Sequence, residues 1–373
     1  MKKFLCCFIL LFIACTLFAQ VGIKWDKVNS EDNILSFLKD KRVALVCNHT
    51  SILDNPKYID TQDTTFAKYL HRIDYLRENG INLVTVFTPE HGLTGLAEAG
   101  EKVNDSTIRN GEIKVRSLYG NTKKPKPEWL KEIDVVVFDL QDVGCRFYTY
   151  ISTLEYVMQA CIERDIPLVV YDRPNPNNYV DGPVLKEKYK SFVGMQPIPV
   201  CYGLTIGEYA VMINEEHWVD EDKKCTLFVV LMVDYDRNAQ NPLPVPPSPN
   251  LRTLQAIKNY PTLCFFEGTP FSVGRGTDFP FETVFNDKEK LGKKFTIKNI
   301  AFSEKKINID FIKQTYKNFE PKKNFFNSFF DKLAGTEELR QQIIAGKTEQ
   351  QIRESWKEDT EKYLIIRNKY LIY

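Results

Sequence analysis

Four apolar runs constrain this chain more than anything else in it. Arg42 to Cys47 (RVALVC), Leu83 to Phe87 (LVTVF), Asp134 to Leu140 (DVVVFDL) and Pro167 to Tyr171 (PLVVY) are short and rich in β-branched residues. Such runs read as strands buried on both faces. Stretches with helical spacing separate them: Phe66, Tyr69, Leu70, Ile73 and Leu76 share one face, and so do Ile151, Leu154, Val157, Met158 and Cys161. The first spacing predicts a helix over Thr64 to Asn79, stopped by Gly80. Strand, helix, strand at this spacing is the right-handed crossover unit of a parallel sheet. Each run then ends in polar residues: Asn48 and His49, Glu90 and His91, Gln141 and Asp142, then Asp172, Arg173 and Asn175. In a parallel sheet these four clusters share one edge, where open α/β sheets place their ligand sites. No Gly-x-Gly-x-x-Gly follows the first strand and no Walker pattern occurs. The architecture is Rossmann-like, yet dinucleotide and nucleoside triphosphate ligands are disfavoured.

Thr88-Pro89-Glu90-His91-Gly92 is the most chemically loaded of the four ends. It sets a carboxylate beside an imidazole between two chain breaks, and neither side chain suits an apolar interior unpaired. The plainer reading is a capping Glu90 and a His91 bonded to a carbonyl. Metal chemistry has little support. The four histidines (His49, His71, His91, His217) form no His-x-x-x-His pattern and no Cys-x-x-Cys occurs, so no metal or cofactor is expected.

A chain of 373 residues exceeds what one core usually supports, so two domains are expected. Met1-Lys2-Lys3, the apolar Phe4 to Phe18 and then Ala19-Gln20 read as a signal peptide over 1–19, which implies export, to the periplasm in a cell with two membranes. Cys15 offers a lipoprotein alternative that Phe12 and Ile13 fit poorly. The apolar stretch is too short for a comfortable membrane span. Cys6, Cys7 and Cys15 fall in this leader, and no spacing among Cys47, Cys145, Cys161, Cys201, Cys225 and Cys264 points to a disulfide. The formal net charge of +1 argues against nucleic acid as a partner.

The texture changes near Tyr202, which places a Rossmann-like domain at 20–200 and a smaller α/β domain at 201–373. Thr205 and Glu208 have capping-box spacing and predict a helix over Thr205 to Asn214. Strands are expected at Thr226 to Val233 and at Thr262 to Phe266. Asn241 to Asn250 (NPLPVPPSPN) is a proline-stiffened loop. In Val273 to Asp278 two glycines flank Arg275, which leaves the backbone free to turn while the guanidinium reaches a ligand. The plainer alternative is a surface turn. Glu337 to Ala345 and Thr348 to Lys357 read as helices, and Leu364 to Tyr373 is apolar enough to dock.

Eight segments in consistent order resemble the exo-β-N-acetylmuramidases of the NamZ type, a family long catalogued only as a domain of unknown function. They are TPEHG at Thr88, DLQDVGCRFYTY at Asp139, YDRPNP at Tyr171, DGPVL at Asp181, YGLTIGEYA at Tyr202, PSPN at Pro247, FEGTPFSVGRGTDFPF at Phe266 and FDKLAGT at Phe330. The resemblance implies an α/β fold, with the Rossmann-like domain, the smaller domain and a site in the crevice between them. It implies a glycosidase of cell-wall turnover that removes N-acetylmuramic acid from non-reducing ends of peptidoglycan fragments. It maps the proposed catalytic glutamate onto Glu90, and other motif positions onto His91, Gln141, Asp142, Arg146, Tyr148, Asp172, Arg173, Glu267 and Arg275. Between Phe281 and Phe311 the chain is shorter than the family pattern. A missing pocket wall there would alter or abolish activity.

Glycoside hydrolysis usually takes two carboxyl groups, or one and the substrate's own 2-acetamido group. Glu90 is the expected general acid. Asp142, Glu267 and Asp172 compete for the second role. Arg275, ahead of Arg173 and Arg146, suits the lactyl carboxylate of muramic acid. For Arg146 the alternative is a structural pair with Asp142. Tyr148 and Tyr150 suit either sugar stacking or packing, and Asn48 and His49 suit a loop-stabilising pair. Two rival readings stay open: a non-catalytic muropeptide-binding protein, and a hydrolase of another β-linked amino sugar.

Overall fold

The computed structural model describes residues 25–28, 31–54, 68–97, 101, 105–108, 111–239, 241–286, 296–298, 300–303 and 305–373. The expected signal peptide lies outside these residues, as does part of the short stretch between Phe281 and Phe311. The central element is an eight-stranded sheet, its strands numbered here in chain order: β1 (Trp25–Val28), β2 (Arg42–Cys47), β3 (Asn82–Thr88), β4 (Ser106–Ile108), β5 (Ile113–Ser117), β6 (Val135–Asp139), β7 (Leu168–Tyr171) and β8 (Leu227–Val230). Their order across the sheet is β1-β8-β7-β6-β2-β3-β5-β4. All neighbours are parallel except β4, which pairs antiparallel with β5 at one edge.

The alternation of side chains builds two cores. Val43, Leu45 and Cys47 of β2 face one layer, with Ile34 and Leu38 of the helix Glu31–Leu38 and Ile73 and Leu76 of the helix Arg72–Glu78. Ala44 and Val46 face the other, under the helices Tyr150–Arg164 and Ile206–Glu215. This second core runs on without a break into Leu263, Phe265 and Phe330 of the C-terminal region. That region carries a small antiparallel sheet (Phe271–Ser272, Thr283–Asn286, Thr296–Lys298) among helices.

Four features differ from the sequence reading. First, the sheet does not stop at residue 200. β8 inserts between β1 and β7, and the capped helix Ile206–Glu215 packs on it. The capping box itself is as expected, with Thr205 and Glu208 bonded reciprocally. Second, Thr262 to Phe266 is not a strand. Thr253 caps a helix Leu254–Leu263 that passes into a 3-10 turn Cys264–Gly268. Leu263, Cys264, Phe265 and Phe266 are all buried, so their run carries no period to tell helix from strand. Third, Tyr69–His71 pairs with Ile52–Asp54, and the helix starts only at Arg72, where the His71 side chain accepts from Ile73 N. Fourth, buried thiols do meet: Cys145 with Cys201, which also face each other across a backbone bridge, and Cys161 with Cys225. These partners are too far apart in sequence for spacing to reveal them.

At the C-terminus, Leu364 to Tyr373 docks as expected. Ile372 N donates to Glu208 Oε1 and the Tyr373 hydroxyl accepts from Met232 N.

Candidate active site

The chain leaves β2 towards β3 on one side and leaves β6 towards β7 on the other, although β2 and β6 are neighbours. This reversal opens a crevice at their carboxyl ends, the position where doubly wound sheets bind ligands. The turn after β3 brings Glu90 and His91 to it, and the turn after β6 brings Phe147 to Tyr150. Ser248 and Asn250 of the proline-stiffened loop form one side. Tyr260, Arg275 and Phe281 of the C-terminal region close it. The crevice between the two regions therefore exists, and it is narrow, about 40 Å³.

Glu90 is the single carboxylic acid among the described residues that line the crevice. It sits half-buried at the end of β3, where Pro89 ends the strand, and Thr149 Oγ1 donates to its Oε2 at 2.9 Å. His91 is buried and has φ +74°, a left-handed conformation strained for any residue but glycine. Its Nδ1 donates to Ala97 O at 2.6 Å, which fixes the imidazole and the turn together. The plainer reading of His91 as a carbonyl donor is thus true of one ring nitrogen, while the residue still lines the crevice.

The opposite wall rests on Arg275. Its Nε donates to Glu267 Oε1 at 2.6 Å, and its guanidinium lies 5.1 Å from the centre of the Phe281 ring. Burial lowers its pKa, and the Glu267 carboxylate more than restores it, so the group stays cationic. Gly274 and Gly276 flank it at φ +84° and +77°. Arg275 thus lines the crevice on a turn whose two flanking glycines both take positive φ.

Tyr148 and Tyr150 are edge-on neighbours, ring centres 4.7 Å apart. The Tyr148 hydroxyl donates to Pro247 O, and Tyr150 accepts from Asn48 Nδ2. His49 Nε2 donates to Pro246 O. Asn48 and His49 thus stabilise loops, though through different partners rather than as a pair.

Six of the residues that the resemblance marks lie outside the crevice lining, Glu267 among them as the partner of Arg275. Gln141 is buried and donates to the carbonyls of Asp142 and Pro174. Asp142 is buried, accepting from Gly144 N and the Tyr202 hydroxyl, and burial pushes its carboxyl up to about 6. Arg146 is not paired with Asp142. Its guanidinium is wholly buried and donates to the carbonyls of Pro183, Ile198 and Leu333, and burial lowers its pKa to about 9. Asp172 accepts from Thr205 Oγ1 and Gly207 N at the start of the helix Ile206–Glu215, and burial pushes its carboxyl up to about 6. Arg173 joins Arg72 on the fully buried Asp139. These residues hold the carboxyl edge of the sheet together. Sequence reasoning passed over Thr149, a donor to Glu90, although it sits between Tyr148 and Tyr150.

Among the described residues, no group of three or more His, Cys, Asp or Glu could hold a metal ion, and no helix is long and apolar enough to cross a membrane.

Fold and crevice together define a doubly wound α/β protein with a site at the topological switch point, furnished with one carboxylic acid, one arginine and aromatic walls. Such a site suits an enzyme acting on an acidic sugar. The chain belongs to the NamZ exo-β-N-acetylmuramidase family: the family's N-terminal profile matches residues 43–255, and its C-terminal profile matches 258–303 and 285–373. The two C-terminal stretches overlap at the segment that the sequence marks as short. The peptidoglycan β-N-acetylmuramidase NamZ of Bacillus subtilis is 36% identical over 90% of this chain and 88% of its own. Two crystal structures of DUF1343 family proteins from Bacteroides fragilis share the fold. One has a TM-score of 0.79 at 36% identity, covering 92% of this chain and 96% of its own. The other has a TM-score of 0.75 at 26% identity, covering 92% and 97%.

Proposed function

We propose that this chain is an exo-acting glycoside hydrolase that releases N-acetylmuramic acid from the non-reducing ends of peptidoglycan fragments. The observation that carries the reading is the pairing of Glu90 and Arg275 across one crevice, in a chain that matches the muramidase family along nearly its whole length. Glu90 acts as general acid on the glycosidic oxygen, and Thr149 holds its Oε2 so that the carboxyl plane is fixed. Arg275 reads the lactyl carboxylate that distinguishes muramic acid from plain glucosamine. Tyr148 and Tyr260 supply ring surface for the sugar.

Among the described residues, no second carboxylic acid lines the crevice. Asp142 and Asp172 are buried in bonds of their own, and Glu267 is engaged with Arg275. This supports the route in which the substrate's 2-acetamido oxygen attacks the anomeric carbon as Glu90 protonates the leaving oxygen. Water then opens the cyclic intermediate, with the Glu90 carboxylate taking its proton. A volume of about 40 Å³ is far below the roughly 300–1,000 Å³ of ordinary ligand pockets. Substrate entry therefore widens the crevice, and the glycine-flanked Arg275 turn is the wall best able to give. The basic start and apolar run of residues 1–19 support export, with action on the cell-wall side of the inner membrane.

Digestion of a peptide-free glycan oligomer ending in muramic acid tests the reading. Stepwise loss of single N-acetylmuramic acid units, with the reducing end untouched, is expected. Internal cuts giving mixed fragment lengths would refute exo action.

A further inference from the structure

Cys145 and Cys201 meet where the turn after β6 lies against a two-stranded antiparallel sheet, Val180–Asp181 with Cys201–Tyr202. An antiparallel bridge sets the two cysteines directly opposite each other. The bond that frames the bridge runs between their neighbours: Arg146 N donates to Val200 O at 2.8 Å. The pair is therefore of the non-hydrogen-bonded kind, in which facing Cα atoms stand about 4.5 Å apart and the side chains approach most closely. A disulfide spans Cα separations of about 4.4–6.8 Å. The two thiols touch, both are fully buried, and both are free in this structure.

Two further bonds stitch the same segments together. The Tyr202 hydroxyl donates to Asp142, and Arg146 Nη1 donates to Ile198 O. Directly beyond Arg146 the chain enters the crevice wall, Phe147 to Tyr150, where Thr149 holds Glu90. The bridge thus stands at the root of that wall. Cys161 and Cys225 also touch, but among the described residues no backbone bridge joins them.

We infer that Cys145 and Cys201 are joined by a disulfide in the exported protein, one that fastens the root of the crevice wall to the strand Cys201–Tyr202. The inference takes its oxidising compartment from the export reading and does not depend on the muramidase reading. Each thiol gives up its hydrogen and the two sulfurs join. The two electrons and two protons pass to a disulfide oxidant, protein or glutathione, which leaves as two thiols. Such exchange needs an accessible thiolate. In the folded chain burial closes off both sulfurs and pushes the Cys145 thiol well up. The bond therefore forms while the chain folds and resists reductant afterwards.

Peptide mapping tests it. The chain from Gln20 onwards is sent to the periplasm behind a proven signal peptide, so a wrong reading of residues 1–19 cannot pass for a missing bond. The pure protein is alkylated in urea without reductant and cut with trypsin. Cleavage after Lys and Arg leaves Cys145 in 132–146 and Cys201 in 191–223, each without another cysteine. These two peptides joined, and separated only by reductant, are the expected product. Alkylated Cys145 and Cys201 in the unreduced digest, or Cys145 joined to any other cysteine, would overturn the inference. Melting curves give a second reading. Cys145→Ala, Cys201→Ala and the double variant should lower the melting temperature equally, by about 5 °C or more, since losing either thiol loses the one bond. Single losses that add up to the double's would show two independent side chains and overturn it as well.

Discussion

Replacing Asp139 by asparagine tests whether Arg173 serves structure rather than substrate. Asp139 closes β6 in the middle of the sheet and has no exposed surface. Arg72 Nε reaches its Oδ2 at 2.9 Å and Arg173 Nε its Oδ1 at 2.6 Å. Arg72 also lies over the Tyr171 ring at 3.7 Å and bonds Glu31, and Arg173 bonds Ile52 O. The carboxylate is therefore the shared anion of two guanidinium groups whose side chains are only 5% and 12% exposed. Removing one partner of a buried ion pair leaves an uncompensated charge and costs about 3–5 kcal/mol. At a urea slope of about 3 kcal/mol/M, that is a midpoint lower by roughly 1–1.7 M. The pH dependence has a definite sign. Burial alone would raise the Asp139 pKa, but the two arginines outweigh it and the net shift is downward. A depressed folded pKa contributes stability that is present above the ordinary carboxylate value, near 3.9, and is lost as pH falls through the folded value. Urea melts of wild type and Asp139→Asn at pH 7 measure the difference. A loss under 1 kcal/mol would refute the reasoning. So would an Arg173→Gln variant that keeps its stability and loses only substrate affinity.

Three further outcomes follow from the same geometry. Thr149→Val removes a hydrogen bond that holds the Glu90 carboxyl in place. kcat/KM on a β-muramide should fall about fivefold, the worth of about 1 kcal/mol for one hydrogen bond, and Thr149→Ser should restore it; an unchanged kcat/KM would contradict the assigned contact. Arg275→Ala should cut kcat/KM on a β-muramide by roughly 10- to 150-fold, the worth of about 1.5–3 kcal/mol for a charged hydrogen bond, and spare the matching glucosaminide. Equal losses on both would remove Arg275 as the lactyl reader. Glu155 is buried in the helix Tyr150–Arg164, bonded by Gln196 Nε2, and burial pushes its carboxyl up to about 7. The fold therefore holds a proton that the unfolded chain releases, and stability falls as pH rises from the ordinary glutamate value towards 7. Glu155→Gln should flatten that fall in melting temperature between pH 4.5 and 7, and an unchanged slope would show that other groups cause it.

The sheet was legible because its strands are buried on both faces and built from β-branched residues, and because nothing but a parallel arrangement fits helices between them. The common edge of the polar clusters was legible for the same reason. What could not be read is the direction each polar side chain takes. Asp142, Arg146, Asp172 and Arg173 turn inward because distant segments supply their partners: the carbonyls that hold Arg146 belong to Pro183, Ile198 and Leu333. Glu90 and Arg275 turn into the crevice, and each was picked out by the chain breaks around it, Pro89 and Gly92 for one, Gly274 and Gly276 for the other. Membership of β8 in the sheet was hidden because a strand's neighbours are fixed by crossover geometry rather than by its own residues. The end of the helix Leu254–Leu263 and the 3-10 turn after it were hidden by Leu263 to Phe266, a run too uniformly apolar to show a period.

Release of free N-acetylmuramic acid from a chromogenic β-muramide, run beside the matching β-glucosaminide and a Glu90→Gln control, addresses the central claim most directly. Turnover on the muramide alone, abolished in the control with affinity retained, is the expected result. Binding of the muramide without turnover in the wild-type protein would contradict it, and would make the short segment between Phe281 and Phe311 the feature to explain.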